Sequence, residues 1–477
     1  MNAEKIIRLI KKYRKAKLIR LSIKGLGRHE VGSHLIPYWT YLTLIRWTLE
    51  YSTNSARKDP DRQTIDKIAI MIHNQQNQHD FADLDKHGLK FFDVIGFQQI
   101  RFQNTAFIDV FGRSKILFSD NKLKNKYSFE DKFKEETSLL IEDFIVLLYR
   151  TFSIVKTQSI GEVNDQFLRL ISTGYEFSKI NSFLDLLTLN IYDSKDFIKK
   201  ANNRVKNLQG QVFDNELFFE TLFIKIHSKR YFLHTTILVN TAEIYLYQFL
   251  KARFDFAPAE FGNRFEKYVG KCLDECEIDY IDENKLERLY PGSNVVDYLV
   301  QGKVIVECKA IEMKAHVSVY PIANKLSNEL KKSITKAYAT QILTIANRID
   351  NNSGKEYFGL IISYRDLFLG HTEELWSSFL REEVEKRSEE KGLNKNLVPI
   401  ENLFIISIRD WEKLLISVRK TNKSIEEILR KVKQNNLTGK RKLFLRNHLD
   451  VYDIRFENLK MIDESFKNIS DKGKITS

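Results

Sequence analysis

The sequence predicts an α/β (α+β) fold in which a mixed sheet is flanked by helices and preceded by a large, mainly α-helical region. The first observation is the segment 294–313, where apolar and polar residues alternate as in two short strands joined by a turn. The second is a pair of flanking segments, 258–276 and 325–349, whose apolar residues recur at the spacing of one helical face. The third is the helical periodicity of most of residues 36–253.

The second strand of the hairpin carries two charges on an otherwise apolar segment. Its core-facing residues are expected to be Val304, Val306, Cys308 and Ala310. Glu307 and Lys309 share the opposite face, roughly 7 Å apart at about 3.3 Å per residue. Removing a carboxylate and an ammonium from water is costly unless each has a partner. The two charges therefore indicate a functional site.

A third charged residue, Asp297, lies on the first strand of the hairpin. Residues that pair directly across a hairpin face the same side of the sheet. Pairing Asp297 with Glu307 leaves a three-residue loop, 301–303, and brings both acids to one face. A two-residue turn at Gln301 and Gly302 would place them on opposite faces unless a bulge intervened.

The helix predicted over 258–276 carries Glu266 at the edge of its apolar face. Gly262 and Gly270 lie four residues before and after it, and each glycine costs about 1 kcal/mol of helix stability relative to alanine. One interpretation is a bare strip beside the carboxylate that lets a metal or a phosphate approach. The alternative is tight helix packing through glycine.

Asp297 followed ten positions later by Glu307-Cys308-Lys309 resembles the D…ExK signature of the PD-(D/E)XK nuclease superfamily. Val296 stands where the name-giving proline would be, which is a frequent variation. The segment around Glu266 is similar to the helix that adds a glutamate to the metal site in restriction-enzyme-like members. The resemblance implies a restriction-endonuclease-like core with an α-β-β-β-α-β order.

The resemblance also implies a ligand set and roles for the residues. Mg²⁺ (or Mn²⁺) would be held by Glu266, Asp297, Glu307 and the backbone carbonyl of Cys308, because such hard cations prefer oxygen ligands. Lys309 would orient or activate the attacking water. Gln341, in the apolar stripe of the helix over 325–349, matches a glutamine that reaches the active site in many relatives. Alternatively, Gln341 bonds a buried backbone group.

The implied activity is that of a Mg-dependent endodeoxyribonuclease, a hydrolase acting on phosphodiester bonds of DNA. Large helical additions to this fold recur in prokaryotic nucleases that act against foreign DNA such as phage, which favours a defence role by analogy. Two alternatives stay open: an RNase using the same site, and a non-catalytic nucleic-acid-binding scaffold subunit. A second protein subunit and a homodimer are also left open as partners.

The net charge of +13 is concentrated in two segments. Residues 1–28 hold ten Lys/Arg and one acid, and residues 419–446 hold ten and two, so the rest of the chain is slightly acidic. Concentrated positive charge is typical of a polyanion binder. The candidate nucleic-acid-binding residues are Lys11, Lys12, Arg14, Lys15, Lys440, Arg441 and Lys442. The alternatives are a solvated helix face and an amphipathic helix on an anionic membrane.

The sequence predicts three parts: a mainly helical recognition or partner-binding region over 1–250, a nuclease domain over 251–420 and a basic helical extension over 421–477. No apolar run is long enough to span a membrane, and three cysteines are too few for a disulfide framework. We therefore expect a cytoplasmic protein with no membrane partner.

Within the first part, a small hairpin is predicted around Gly112. In the third part, the last dozen residues of the chain are expected to be disordered.

Overall fold

The structure is a computed structural model that describes residues 3–30, 36–56, 58–77, 106–159, 161–319, 323–350, 355–369 and 371–474. Its architecture is mixed α/β, with two small mixed sheets flanked by helices, which confirms the predicted class. The boundaries at residues 250 and 420 stay predictions, and one hydrophobic cluster contains buried residues from Ala3 to Ile469.

The region before residue 254 is mainly helical among the residues that the structure describes. Its α-helices are Ala3–Ile10, Lys15–Glu30, Tyr38–Tyr51, Arg62–Asn77, Phe107–Ser119, Phe129–Thr137, Ile141–Gln158, Asp165–Ile171, Phe177–Leu186, Lys195–Arg204, Leu208–Gln211 and Thr235–Arg253. A sheet that the sequence did not predict lies among them, with strands β1 (Thr188–Asn190), β2 (Phe223–Ile226) and β3 (Lys229–Phe232). β1 is parallel to β2, and β2 is antiparallel to β3.

The second sheet has five strands in the order in which they occur along the chain. They are β4 (Tyr280–Asp282), β5 (Tyr298–Val300), β6 (Val304–Lys309), β7 (Phe358–Ser363) and β8 (Leu403–Ser407). β4, β5 and β6 are antiparallel neighbours, whereas β6, β7 and β8 are parallel. Parallel neighbours need crossover connections, and helices form much of the chain between β6, β7 and β8.

Helices from this part of the chain pack on both faces of the sheet. The α-helices after residue 254 are Ala257–Glu275, Glu283–Leu289, Ala315–Val319, Ala323–Leu330, Leu343–Ile349, Thr372–Leu375, Arg381–Glu390, Ile408–Thr421, Ile425–Leu437, Leu445–Leu449 and Lys460–Gly473. Between Leu330 and Leu343 the helical chain continues through two π-helical turns, Lys331–Thr335 and Ala337–Ile342.

Side chains alternate along β6 as predicted, so its two faces pack into two different hydrophobic clusters. Val304 and Val306 are buried in the cluster that contains the helix Ala257–Glu275. Ile305 is buried in a second cluster, with residues of the helical segment 323–349. Glu307 and Lys309 lie on the Ile305 face because side chains alternate along a strand.

The prediction of a hairpin around Gly112 is wrong, because Phe107–Ser119 is one helix. A Cβ at Gly112 would lie 2.6 Å from the carbonyl oxygen of Ile462, so this glycine allows a close approach of the helix Lys460–Gly473. The prediction of disorder for the last dozen residues is also wrong as far as Gly473, because these residues belong to the helix Lys460–Gly473. Ile469 is fully buried in the hydrophobic core, which orders a segment of polar composition.

None of the helices in the described residues combines the length and the hydropathy that crossing a bilayer requires.

Candidate metal centre

The register of β4, β5 and β6 places three carboxylates in one row across the sheet. β5 and β6 pair Val300 with Val304 and Tyr298 with Val306, so the next opposed pair is Asp297 and Glu307. The connection is therefore the three-residue loop 301–303, in which Gln301 and Gly302 adopt positive φ of 50° and 62°. β4 pairs Asp282 with Tyr298, so Glu283 lies opposite Asp297 from the other side.

Glu266 joins this row from the helix Ala257–Glu275. One carboxylate oxygen from each of Glu266, Glu283 and Asp297 lies within 4.8 Å of the other two. The helix is held against β5 because the Tyr298 hydroxyl donates to the carbonyl of Glu266 over 2.9 Å. A Cβ at Gly270 would lie 2.6 Å from that hydroxyl oxygen, which accounts for one of the two glycines that flank Glu266.

A buried ion pair fixes the other side of the same helix. Arg113 donates two hydrogen bonds of 2.7 Å to the carboxylate of Glu412, and the Tyr268 hydroxyl donates to the same carboxylate over 2.7 Å. All three side chains are almost fully buried. Removing one partner from such a group is strongly destabilising, since it leaves a buried charge uncompensated. The group therefore stabilises the position of the helix that carries Glu266.

Asp297 is held by the backbone of the neighbouring strand. The N–H of Cys308 donates to Asp297 Oδ2 over 2.5 Å. Burial raises the pKa of Asp297, although this hydrogen bond and the charge of Lys309 oppose the rise. Cys308, predicted to offer its carbonyl to a metal, thus contacts the carboxylate through its N–H.

Glu307 is the most buried carboxylate of the row, with 1% of the residue exposed. Its Oε1 accepts a hydrogen bond from Lys309 Nζ, whereas its Oε2 has no hydrogen-bond partner among the described residues. Burial and the charge of Asp297 raise the pKa of Glu307, and Lys309 and Gln341 oppose that rise. An acceptor that is buried without a partner is costly, so this oxygen fits a ligand that supplies positive charge.

The acids raise one another's pKa values. Burial, together with the charges of Asp297 and Glu283, raises the pKa of Glu266 to about 7. Burial and the charges of Asp297 and Glu287 raise the pKa of Glu283. Carboxylates that disfavour each other's ionised form gain from a cation between them. The donor set therefore fits a hard divalent cation.

Lys309 is the cation among these acids, and 27% of its side chain is exposed. Burial alone would lower its pKa, but the charges of Glu307 and Asp297 outweigh burial and raise it. Lys309 therefore keeps its proton at neutral pH. Its ammonium can donate to an anion, and it is poorly suited to accept a proton.

Gln341 lies on the π-helical turn Ala337–Ile342, and such turns are frequent at functional sites. Its Nε2 donates to the carbonyl of Val295 over 3.4 Å, and its side chain also lies close enough to Glu307 to lower the pKa of that carboxylate. Its buried Oε1 has no partner among the described residues. The structure thus combines both sequence interpretations, since Gln341 bonds a backbone group and contacts the site.

Glu283 is the site residue that the sequence did not predict. It is the first residue of the helix Glu283–Leu289, whose N-terminus is capped by the Asp282 side chain accepting from the N–H of Lys285 over 2.8 Å. The preceding strand β4 has only three residues, too few for an alternating pattern to be recognised. The signal available in the sequence was the capping pattern of Asp282 before a short helix.

The seven basic candidates differ in their contacts. Lys15 donates to the carbonyl of Leu49 over 2.9 Å, and burial lowers its pKa. Arg14 pairs with Asp59 at 3.6 Å, and Arg441 pairs with Glu374 at 2.9 Å.

The remaining candidates are the exposed lysines at positions 11, 12, 440 and 442. Lys442 donates to the carbonyl of Asn447 over 2.6 Å, and Lys11 lies 5.9 Å from the ring centroid of Tyr51. Within the described chain, Lys12 and Lys440 have neither an ion pair nor a side-chain hydrogen bond. Lys12 and Lys440 are therefore the candidates best able to contact a polyanion.

Comparisons with protein-family models, with curated proteins and with solved structures gave no match to this chain. Its function is therefore argued from the site itself.

Proposed function

We propose that this protein is a metal-dependent nuclease that hydrolyses phosphodiester bonds, with DNA as the substrate and defence against foreign DNA such as phage as its role. The observation that carries the proposal is the row of Glu283, Asp297 and Glu307, joined by Glu266 and adjoined by the protonated Lys309. Four carboxylates around one ammonium fit a divalent cation and, beside it, an anionic substrate group.

The order of elements also supports a restriction-endonuclease-like core. A helix, three antiparallel strands, a helical segment and a parallel strand occur in this order from Ala257 to Ser363, with the short helix Glu283–Leu289 inserted between β4 and β5. Apart from that insertion, this is the α-β-β-β-α-β order that the resemblance to PD-(D/E)XK nucleases implies. Glu266 lies on the first helix of that order, Asp297 immediately before β5, and Glu307 and Lys309 on β6, as the resemblance also implies.

Each residue of the site has a role that follows from its contacts. Cys308 N–H orients Asp297, and Asp297, Glu266 and Glu283 would hold a divalent cation with Glu307 beside them. A divalent cation, when bound, supplies Lewis acidity and neutralises the charge that grows on a scissile phosphate. Lys309 holds a proton and can donate a hydrogen bond to a phosphate oxygen. Gln341 is placed to position a water molecule or a phosphate oxygen beside Glu307.

The competing function is a scaffold that binds nucleic acid without cutting it. A scaffold has no need of a buried carboxylate oxygen that lacks a partner, because an apolar or amide side chain at Glu307 would avoid its cost. The complete set of acids with Lys309 therefore favours catalysis.

The test is incubation of the full chain with linear, circular and single-stranded DNA and with RNA, in Mg²⁺ and in EDTA. We expect Mg²⁺-dependent cleavage of DNA, including circular DNA, as an endonuclease requires. Asp297→Ala and Glu307→Ala should abolish cleavage while nucleic-acid binding persists, whereas Asp255→Asn, which alters an exposed carboxylate before the helix Ala257–Glu275, should cleave at the parent rate. Cleavage by either alanine variant at the parent rate would show that the site is misassigned, and cleavage of RNA alone would favour the RNase.

A further inference from the structure

A cavity of about 550 Å³ opens beyond the ends of β6 and β7. One wall is formed by residues 310–315, which directly follow β6, and by residues 365–368, which begin two positions after the last residue of β7. The opposite wall comes from the mainly helical region and includes Arg204, Glu216 and Lys251. Its size lies within the range of about 300–1,000 Å³ that is typical of small-molecule sites. In α/β sheets, ligands bind beyond the carboxyl ends of parallel strands, and this cavity occupies that position.

A chain of ion pairs leads to the cavity wall. Arg46 pairs with Asp214, Arg204 with Asp214 and Glu216, and Arg365 with Glu216, at 3.3, 3.1, 2.9 and 3.4 Å. Three arginines thus alternate with two carboxylates along this series. Over the whole cavity lining, Arg204, Lys251, Lys314 and Arg365 balance Glu216, Glu312, Glu329 and Asp366, so an anion would be held by individual donors and not by an excess of positive charge.

Arg365 keeps donors available to a ligand. Its Nη2 donates to Glu216 Oε1, and in the described residues its Nε and Nη1 donate to no protein group. Glu216 therefore orients the guanidinium, while its Nε–H and its Nη1 amine remain able to donate. Each of these donors can bond an oxygen of a phosphate.

The acids that line the cavity are each engaged with a cation. Glu312 accepts from Lys251 and Gln248. Asp366 accepts two hydrogen bonds, of 2.9 and 3.0 Å, from the guanidinium of Arg446. Their charges are thus offset within the protein, so they do not prevent an anion from binding at Arg365.

An aromatic residue on the same wall has a strained backbone. Phe368 lines the cavity and has φ of 51°, in the left-handed region that bulky residues rarely adopt. Strain of this kind is retained at functional sites when the surrounding structure enforces it. An aromatic ring at the wall of a polar cavity can stack against a nucleobase.

We propose that this cavity binds one nucleotide unit, with its phosphate on Arg365 and Arg204 and its base against Phe368. Ala310, on the cavity wall, directly follows Lys309, so the cavity begins where the strand that carries Lys309 ends, and a substrate strand that reaches the site would continue toward it. The proposal rests on the proposed function, and it adds that the substrate is held by a nucleotide beyond the cut. The same chemistry would also accept a free nucleotide.

The binding test needs no cleavage. The full chain in EDTA is titrated calorimetrically with the deoxyribonucleoside and ribonucleoside monophosphates, with inorganic phosphate as a reference. We expect at least one nucleotide to bind more tightly than phosphate does, and Arg365→Gln to weaken that binding at least tenfold. Arg365→Lys should weaken it less, and Arg381→Gln, which removes an exposed arginine from another helix, should leave it unchanged.

A second variant tests the proposal independently in case Arg365→Gln does not fold. Phe368→Gly removes the ring, which also contacts Phe444, at a position where glycine adopts the observed φ without strain. Relief of strain offsets part of the lost packing, so we expect a cooperatively folded protein with about tenfold weaker nucleotide binding. If the strand supplies the nucleotide, both variants also raise the KM for cleavage. If only free nucleotide binding changes, the ligand is a free nucleotide.

The two proposals fail in different ways. If the parent protein cleaves DNA, and neither nucleotide binding nor KM depends on Arg365 and Phe368, the cavity proposal is overturned and the nuclease stands. Nucleotide binding that depends on both residues, in a protein that cleaves nothing, would support the cavity and refute the nuclease.

Discussion

Glu283 and Asp297 lie opposite each other at the ends of the neighbouring strands β4 and β5, one position beyond the paired residues Asp282 and Tyr298. Their carboxylates come within 4.8 Å of each other and of Glu266. Burial and the charge of Asp297 raise the pKa of Glu283, so the ionised pair is unfavourable until a cation joins it. This relationship places Glu283 among the residues that would hold the metal.

The first prediction concerns Glu283. Glu283→Gln removes one oxygen ligand and one charge, so we expect weaker Mg²⁺ binding and slower cleavage, by at least tenfold at limiting Mg²⁺. Excess Mg²⁺ should restore part of the rate, because the other acids remain. Titration of the cleavage rate with Mg²⁺ measures the change. Glu287→Gln, one helical turn later, is the control, and equal Mg²⁺ dependence in both variants would remove Glu283 from the site.

The sequence predicted the local features of this site more completely than its assembly. Asp297, Glu307 and Lys309 were recognised because β6 alternates over six residues and its apolar face is unambiguous. The three-residue loop that aligns Asp297 with Glu307 was one of two options, since the preference for turns is local and the register depends on the whole sheet. Glu283 was not recognised because β4 is short and its pairing with β5 is a tertiary contact.

Glycine and charge were the least informative signals. Gly112 was interpreted as a turn residue because glycine is common in turns, yet it lies within a helix. There the missing side chain allows the backbone of another helix to approach closely. The basic run 440–442 indicated polyanion contact, yet Arg441 and Lys442 have partners within the protein. The distance at which another helix packs against a glycine, and the group with which a basic side chain pairs, cannot be derived from the local sequence.

The second prediction concerns stability and pH. Folding raises the pKa of Glu266 from an ordinary 4.5 to about 7, so the folded protein binds the proton more tightly than the unfolded chain does. The carboxylate therefore lowers stability as pH rises from about 4.5 to about 7, and the cost is complete above that range.

Glu266→Gln in EDTA should raise the unfolding free energy at pH 8 by on the order of 1–2 kcal/mol, after allowance for solvent screening. At pH 4 the gain should vanish. In Mg²⁺ at pH 8 the difference should shrink or reverse, because the parent protein gains more from the cation than a variant that lacks one of its ligands. Urea unfolding at both pH values, with and without Mg²⁺, measures this. A variant that loses stability in EDTA at pH 8 would contradict the pKa argument.

The third prediction concerns Lys309. Lys309→Met keeps much of the side-chain packing but removes the ammonium, so we expect kcat to fall by about two to three orders of magnitude. Mg²⁺-dependent stabilisation should persist, since the acids remain. Lys303→Met, on the loop of the same hairpin, should cleave at the parent rate. A decrease of tenfold or less for Lys309→Met would reduce Lys309 to a substrate contact.

The fourth prediction concerns the two basic segments. Lys12 and Lys440 have no partner among the described residues, so Lys12→Gln and Lys440→Gln should weaken DNA binding with little change in stability. For each DNA phosphate that the variant no longer neutralises, the slope of log affinity against log salt should become shallower by about 0.9. Lys15→Gln should instead destabilise the protein, because Lys15 Nζ bonds the Leu49 carbonyl. A slope that does not change in one variant excludes that lysine from the DNA path.

The fifth prediction uses the two glycines that flank Glu266. A Cβ at Gly262 would meet no atom within 4 Å, whereas one at Gly270 would lie 2.6 Å from the Tyr298 hydroxyl oxygen. Gly262→Ala should therefore stabilise the helix by about 1 kcal/mol, and Gly270→Ala should destabilise the protein by about 1–3 kcal/mol. Denaturant unfolding of both variants measures this. If the open strip at Gly262 admits the substrate, cleavage by Gly262→Ala falls although its stability rises; parent-level cleavage would leave that strip without a function.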